Sequence, residues 1–260
     1  MRLVQINNSA ETFTATASGA IATHIWEVCR RSGAQNLVVT QSASEPVFSG
    51  VDVEYVSPWP QRVPGWREWR RRVFRRLSGW REYEQKSHAK NVLRALRRRG
   101  ITKGTLLLHN DPEMAVFLKS NLPGTRVVHH FHNPVVAKPQ FSRRFRESVD
   151  GVTAVSRYVA VEVQKIYGVM PVKVIHNGVD LESFKPQSHT PSNQVTINFL
   201  GRTGIEKGPD ILLRAALRLA LEGIPLRVQM IGSNHWGRWE ADAYQSTLGN
   251  LYDELVRAGA

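Results

Sequence analysis

A single cysteine in 260 residues, Cys29, has no partner for an internal disulfide. A chain so poor in thiols is expected to work in a reducing, cytosolic setting. Cys29 lies among Ile25, Trp26 and Val28 and reads as a core filler rather than a nucleophile. Long apolar runs are also missing. No stretch approaches the ~18–20 apolar residues of a membrane-spanning helix. The opening Met1–Ile6 is too short in its apolar part for a secretory signal, and polar Asn7-Asn8-Ser9 follows. Internal repeats and low-complexity blocks are absent. Acidic residues are scarce, 22 Asp and Glu against 35 Lys and Arg, for a net charge of +13. That balance implies affinity for something anionic, whether nucleic acid, a membrane surface or a phosphorylated substrate. The hydrophobic share, 42%, suits a packed core rather than disorder.

Short apolar segments alternate with helical patterns for most of the length. Arg2–Ile6, Leu37–Thr40, Val53–Val56, Thr105–His109, Arg126–His130, Val152–Ala154 and Val172–Ile175 read as strands. Ser18–Arg31 reads as a helix with Ala20, Ile21, Ile25, Val28 and Cys29 on one side. Trp66–Arg99 reads as mostly helical with a break near Ser78-Gly79, and Met114–Ser120 and Arg157–Tyr167 as further helices. Strands alternating with helices predict an α/β fold with a Rossmann-like, doubly wound parallel sheet. Residues 176–194, rich in Asn, Gly, Pro and Ser, carry no period and mark a domain boundary. A fresh unit then begins: strand Val195–Leu200, a helix from Pro209, strand Leu226–Ile231 and a helix over Glu240–Arg257. Two strands and two helices are expected to be part of a domain, because a parallel sheet needs more strands and two covered faces.

The stretch "GRTGIEKGPD", residues 201–210, joins a strand to a helix and carries Arg202, Lys207 and the glycines Gly201, Gly204 and Gly208. Unpaired N–H groups and the helix dipole favour an anion at such a junction. Neither familiar phosphate loop fits. Lys207 lies between Glu206 and Gly208, so the Walker A order fails, and the spacing of Gly201 to Gly204 fails the G-x-G-x-x-G pattern.

"VIHNGVDLESFKP" at 174–186, "NFLGRTGIEKGPDILLRAAL" at 198–217 and "VDGVTAVSRYVAVEVQKIYGV" at 149–169 resemble the retaining, family 4 type of glycosyltransferases with the GT-B fold. The resemblance is specific over about 149–232 and loose but co-linear before that. It implies an acceptor-side Rossmann-like domain over 1–175, a crossing over 176–194 and the first half of a nucleotide-sugar domain over 195–260. Arg202 and Lys207, with Gly201, match the loop that holds the donor diphosphate. His132 in "VVHHFHNPVVAK" matches a histidine at the donor sugar. The family's first loop carries a double glycine, for which "TATASGAIATH" keeps one candidate, Gly19. Its two glutamates eight residues apart have no counterpart before Ala260, so a longer chain or a separate one is expected to complete the site.

The implied activity is transfer of a sugar from a nucleotide-sugar to a saccharide or lipid-linked acceptor, with retention at the anomeric carbon. The rival is a non-catalytic or partner-dependent remnant that binds a nucleotide or a membrane and self-associates through its incomplete second domain. A GT-B sugar-nucleotide epimerase is argued against by the "NGVD" and "GR…EKG" pair. No cofactor is expected. No metal is expected either: strand alternation puts His130 and His132, but not His129, on one face, and no Cys or carboxylate cluster completes a ligand set. His109 and Asp111, closing another strand, are placed to face an acceptor, although Asp111 reads better as the N-cap of the helix that follows.

"RVPGWREWRRRVFRRLSGW", residues 62–80, supplies much of the excess charge. Trp66, Trp69, Val73, Leu77 and Trp80 recur at helical spacing, and Arg70, Arg71, Arg75 and Arg76 fill other sides. Such a helix can lie on an anionic membrane, giving a cytosolic protein peripheral on the inner face, or pack its tryptophans on its own sheet. No nucleic-acid motif accompanies the charge.

Overall fold

The computed structural model describes residues 3–9, 11–16, 19–32, 35–43, 46–56, 80–168, 171–186, 195–232 and 243–259. The chain forms two compact units, Met1–Val179 and Asp180–Ala260.

Unit 1 is built on seven parallel strands: β1 (Leu3–Ile6), β2 (Asn36–Gln41), β3 (Asp52–Val56), β4 (Gly104–His109), β5 (Thr125–Phe131), β6 (Gly151–Ala154) and β7 (Val172–Val174). Their order is β3-β2-β1-β4-β5-β6-β7, the doubly wound arrangement that the alternating pattern predicts. Both faces are covered, so the central strands are apolar on both sides. Side-chain alternation splits β2 between two cores. Val38 joins Phe13, Ile21, Ile25, Cys29 and Phe48 beneath helix α1 (Ala20–Arg31). Leu37 and Val39 point the other way, into the larger core shared with Leu106, Leu108, Leu96 and Leu118. That second core is covered by α2 (Trp80–Arg98), α3 (Pro112–Asn121), α4 (Pro139–Ser148) and α5 (Arg157–Tyr167).

Local chemistry sets the helix ends. Pro112 opens α3, where no N–H is needed, and the Asp111 carboxylate accepts from Met114 N at 3.0 Å. Ser156 accepts from Val159 N at 3.1 Å to start α5, which stops at Gly168 with φ +87°. A Cβ at Gly168 would also collide with the Arg146 guanidinium, which donates to the Tyr167 carbonyl.

Two expectations are corrected. Val28 is 36% exposed, whereas Ala22 is buried. At 100° per residue Ile21, Ala22, Ile25 and Cys29 span one arc of α1, and Val28 falls just outside it. Helix α4 has no counterpart in the sequence reading, because four charged residues hide its two apolar anchors, Phe141 and Phe145. Phe145 is fully buried, and Ser142 ties α4 to α5 by donating to the Ile166 carbonyl at 2.8 Å. The arginine- and tryptophan-rich stretch before Trp80 lies outside the described residues.

Unit 2 holds β8 (Val195–Leu200) parallel to β9 (Leu226–Ile231), paired from Val195–Leu226 through Leu200–Ile231. Helices α6 (Pro209–Leu221) and α7 (Ala243–Arg257) supply Leu213, Ala216, Leu248, Leu251 and Leu255, which with Leu226 form its core. Among the described residues this sheet has two strands, and a lone strand pair is marginal in water. Amides of β8 and β9 should therefore exchange faster than those of β1, β4 and β5. Hydrogen exchange by mass spectrometry on the 260-residue chain checks this, and equal protection in the two sheets would refute it.

Unit 1 also stores an acid sensitivity. His88 on α2 is 4% exposed, and neither ring nitrogen has a hydrogen-bond partner among the described residues. Burial holds its basicity down, from 6.5 to about 4. A histidine depressed on folding costs nothing above about pH 6.5, where it is neutral folded and unfolded. As pH falls from 6.5 towards 4 the unfolded chain gains a proton that the folded chain refuses, so stability is lost. Between pH 6.5 and 5 this costs up to about 2 kcal/mol, at about 1.4 kcal/mol per pH unit. Denaturant unfolding of unit 1 should show that the loss on acidification shrinks by that amount in His88→Leu. Equal losses in the two proteins would count against the assignment.

Candidate functional site

Strand β1 lies between β2 and β4, so the chain leaves the sheet centre in one direction for β2 and in the other for β4. Open α/β sheets present a crevice at the carboxyl ends of their strands where the order reverses in this way. Gln5, a polar residue inside the apolar strand Leu3–Ile6, is 1% exposed at this place. A buried amide is costly unless it is paired. Its Oε1 accepts from His109 Nε2, the last residue of β4, at 2.8 Å.

That bond fixes a chain of tautomers. Oε1 cannot donate, so His109 carries its proton on Nε2 and Nδ1 is a bare acceptor. His132 Nε2, 3.0 Å from His109 Nδ1, must then be the donor, which leaves His132 Nδ1 with a free lone pair. His132 lies just past the end of β5, and its backbone is held by Asn110. The Asn110 Oδ1 accepts from His132 N at 2.7 Å and from Asn133 N at 3.3 Å. Asn110 has φ +50°, and no other non-glycine among the described residues has positive φ. Asparagine tolerates this left-handed geometry better than most residues.

Two further imidazoles close the group. His130 bonds Thr153 Oγ1 through Nδ1 at 2.6 Å and packs edge-on to His132, ring centroids 4.7 Å apart. His24, from α1, stacks on His130 at 5.5 Å and meets His132 at 5.1 Å and His109 at 5.9 Å. His129 points to the opposite face, against Phe131 and Phe145. The expected alternation of His130 and His132 against His129 therefore holds. Burial, then repulsion between neighbouring imidazoliums, keeps His132 at about 3. Burial foremost, then His24, keeps His130 at about 4, and burial also lowers His24. The buried His109 lies well below its ordinary value, again through burial first. At neutral pH the cluster is uncharged and offers lone pairs and N–H donors of fixed direction, which suits hydroxyl groups or a metal ion.

Unit 2 carries the other candidate. Gly201 follows β8, a short 3-10 turn spans Ile205–Lys207, and Gly208 enters α6 at φ +65°. The N-terminus of α6 has no side-chain cap, and with Pro209 lacking an N–H and Ile211 N and Leu212 N donating to the Gly208 carbonyl, the helix dipole is what favours an anion there. Arg202 and Lys207 lie exposed in the same loop, Arg202 paired with Glu206 at 3.0 Å. Gln245 of α7 anchors the loop by donating to the Thr203 carbonyl at 3.0 Å. Gly232 after β9 has φ +139°, and a Cβ there would collide with the Gly201 carbonyl oxygen. Glycine is thus required where the ends of β8 and β9 converge.

A family model described as Glycosyltransferase Family 4 matches residues 21–183, more than half of the chain. The chain belongs to that family. It is 33% identical over 96 residues to D-inositol 3-phosphate glycosyltransferase 1 of Catenulispora acidiphila, a match that spans 31% of this chain and 23% of that protein. It is 34% identical over 82 residues to the D-inositol 3-phosphate glycosyltransferase of Streptosporangium roseum, over 28% of this chain and 19% of that one. The matched stretches are thus less than a quarter of these relatives' length. In fold it is similar to the lipopolysaccharide outer core galactosyltransferase WaaB, with TM-score 0.60 at 12% identity over 98% of this chain and 65% of that one. It is also similar to the E. coli trehalose-6-phosphate protein bound with UDP-2-fluoro glucose, with TM-score 0.61 at 15% identity over 99% of this chain and 70% of that one. These likenesses show a GT-B glycosyltransferase fold.

Against the residues expected of this family 4 chain, His132 lies in the histidine cluster at the strand ends. Gly201, Arg202 and Lys207 lie together in the loop of unit 2, beyond the span of the family match. Gly19 is the N-cap of α1 with φ −83°. The Glu11 carboxylate there accepts from Ala22 N at 3.0 Å, so a phosphate at this helix end would have to displace it. A Cβ at Gly19 would collide with the same carboxylate. Trp66, Trp69, Arg70, Arg71, Arg75 and Arg76 lie outside the described residues. No helix among the described residues is long and apolar enough to cross a membrane. Asp111 is the N-cap of α3, pushed up to about 6 mainly by burial. His24, Gln5 and Asn110 are additions from the structure. A glutamine inside an apolar strand and an asparagine directly after a strand-ending histidine are signals the sequence does carry.

Asn110 gives this site a sharp test. Asn110→Ala loses two hydrogen bonds and puts a Cβ residue without a compensating side chain at positive φ, for about 2–3 kcal/mol. Asn110→Gly loses the bonds but not the backbone freedom and should cost about 1 kcal/mol less. Denaturant midpoints of the two variants separate these contributions, and equal destabilisation would argue against strain at residue 110.

Proposed function

We propose that this chain transfers a sugar from a nucleotide-sugar donor to an acceptor hydroxyl with retention at the anomeric carbon. The observation that carries the reading is the loop between β8 and α6. Arg202 and Lys207 stand beside an uncapped helix N-terminus, where two cations and the positive end of the helix dipole can neutralise a diphosphate. In the step proposed, the bond from the anomeric carbon to the diphosphate oxygen breaks as the acceptor oxygen bonds that carbon from the same face. The acceptor's proton passes to the leaving diphosphate. His132, with a bare Nδ1, takes the sugar-contacting role that the resemblance implies. The inositol-phosphate glycosyltransferases among the relatives, and the UDP-2-fluoro glucose bound in the E. coli neighbour, support a nucleotide-sugar donor and a saccharide- or polyol-type acceptor.

Calorimetric titration with UDP and GDP tests the loop. Arg202→Ala and Lys207→Ala should each weaken diphosphate binding by roughly 1.5–3 kcal/mol, the range for a charge-assisted hydrogen bond. Glu206→Gln should shift affinity the opposite way, because Arg202 then no longer shares its charge with a carboxylate at 3.0 Å. Unchanged affinity in both alanine variants would remove the donor-site assignment.

A further inference from the structure

The histidine cluster holds more ring nitrogens than contact with a single sugar needs. His24, His109 and His132 each offer one ring nitrogen, and these atoms all lie within 4.8 Å of one another. His109 Nδ1 and His132 Nε2 are 3.0 Å apart. Two nitrogens bound at ~2.0–2.1 Å in tetrahedral geometry would stand ~3.3 Å apart. This hydrogen-bonded pair is therefore close to metal-ligand spacing, and binding an ion requires the His132 proton to move from Nε2 to Nδ1 so that both facing nitrogens offer lone pairs. His24 sits on the surface of α1, half-buried, and a rotation about its side-chain torsions would bring its nitrogen in by the remaining ~1.5 Å needed for that geometry.

The surroundings fit a ligand set. His109 gives its other ring N–H to Gln5 Oε1 at 2.8 Å, and Gln5 is buried. Metal-binding histidines characteristically have such an acceptor behind them, which aims the ring and raises its donor strength. Among the described residues no carboxylate or thiol joins the group, so the donor set is all imidazole, suited to zinc, cobalt, nickel or copper rather than magnesium or calcium. His24 and His132 are each half-buried, so the group is not sealed inside the core. The backbone at residue 132 is fixed by Asn110, so the pair cannot drift apart without breaking that turn. Four imidazoles pack against one another here, and His130 Nε2 is buried with no partner among the described residues.

We propose that His24, His109 and His132 form a binding site for one divalent transition-metal ion of the zinc class at the carboxyl ends of β4 and β5. Gln5 orients His109 for it. The ion occupies Nε2 of His132 and leaves the proton on Nδ1, so the lone pair offered to the sugar is lost while the metal is bound. This exclusion rests on the role proposed above for His132, but the site itself does not.

The test reads metal directly. The untagged 260-residue chain, freed of metal with a chelator, is titrated with Co²⁺ while its visible d–d absorption is followed, and Zn²⁺ affinity is measured by competition with a chromophoric chelator. The expected result is one equivalent of Co²⁺ with the intense visible bands of a four-coordinate site, displaced by Zn²⁺. His24→Ala and His132→Ala are half-exposed positions that should fold, and each should weaken binding by at least ~10-fold. Gln5→Leu should weaken it ~10- to 100-fold, as loss of an orienting partner does, with circular dichroism confirming the fold. His176→Ala, an exposed histidine bonded to the Val155 carbonyl, should bind like the wild type. Absence of a saturable single equivalent, or wild-type affinity in either His24→Ala or His132→Ala, overturns the site, whatever the outcome of the diphosphate titrations.

Discussion

The pairing of β1 with β2 on one side and β4 on the other is the constraint from which the rest of unit 1 follows. The registers Val4↔Leu37 and Val4↔Leu106 place three apolar strands side by side at the sheet centre. Buried on both faces, that centre cannot expose a polar group along its length. Polar residues are driven to the carboxyl ends, where the strands stop and the crossover chains leave in opposite directions. Gln5, His109 and Asn110 all lie there, and each is satisfied by another of the site's residues rather than by solvent alone.

Keeping imidazoles in that position has an energetic consequence. Desolvation disfavours the imidazolium far more than the neutral ring, so burial selects the form with a lone pair. Once His109 is neutral, the Gln5 carbonyl decides which nitrogen carries the proton. That choice is passed to His132 across a single 3.0 Å contact. A residue in β1, remote in sequence, thereby sets the chemical face that His132 presents. The same logic separates His129, which is buried one residue earlier against Phe131 and Phe145 and takes no part.

Much of the fold was legible because its strands are short apolar runs punctuated by glycine and asparagine, and because α3 and α5 announce themselves with Asp-Pro and Ser caps. Helix α4 was not, since its covering role depends on Phe141 and Phe145 among many charges, and two anchors are too few to show a period. The strand faces were legible for His130 and His132, because alternation is a local rule. The cluster they join was not. It depends on β1 and β4 being neighbours and on His24 of α1 reaching His130 of β5, and no local pattern in "LVQI" or "AIATHIWEVCRR" states what each will lie beside. The loop of unit 2 was legible through its composition, but its sequence assigns Glu206 no role. Its pairing with Arg202 appears only once the 3-10 turn brings residues four apart together.

That pairing changes how the cationic loop works. A diphosphate at the proposed site would meet one cation already compensated by Glu206 and another, Lys207, with no ion-pair partner among the described residues. Exposed pairs of this kind contribute about 0–1 kcal/mol, much less than a charge-assisted bond to phosphate, so the exchange of Glu206 for phosphate is downhill. The carboxylate holds the guanidinium against the 3-10 turn. Asp210 in the first turn of α6 is similarly engaged, accepting from the Tyr244 hydroxyl at 2.5 Å, which binds α7 to the start of α6. The positive potential at this helix end is therefore held in check by two carboxylates, and only a ligand with more than one negative charge gains by displacing the first of them. That favours a diphosphate over a neutral sugar as the group that docks at the loop.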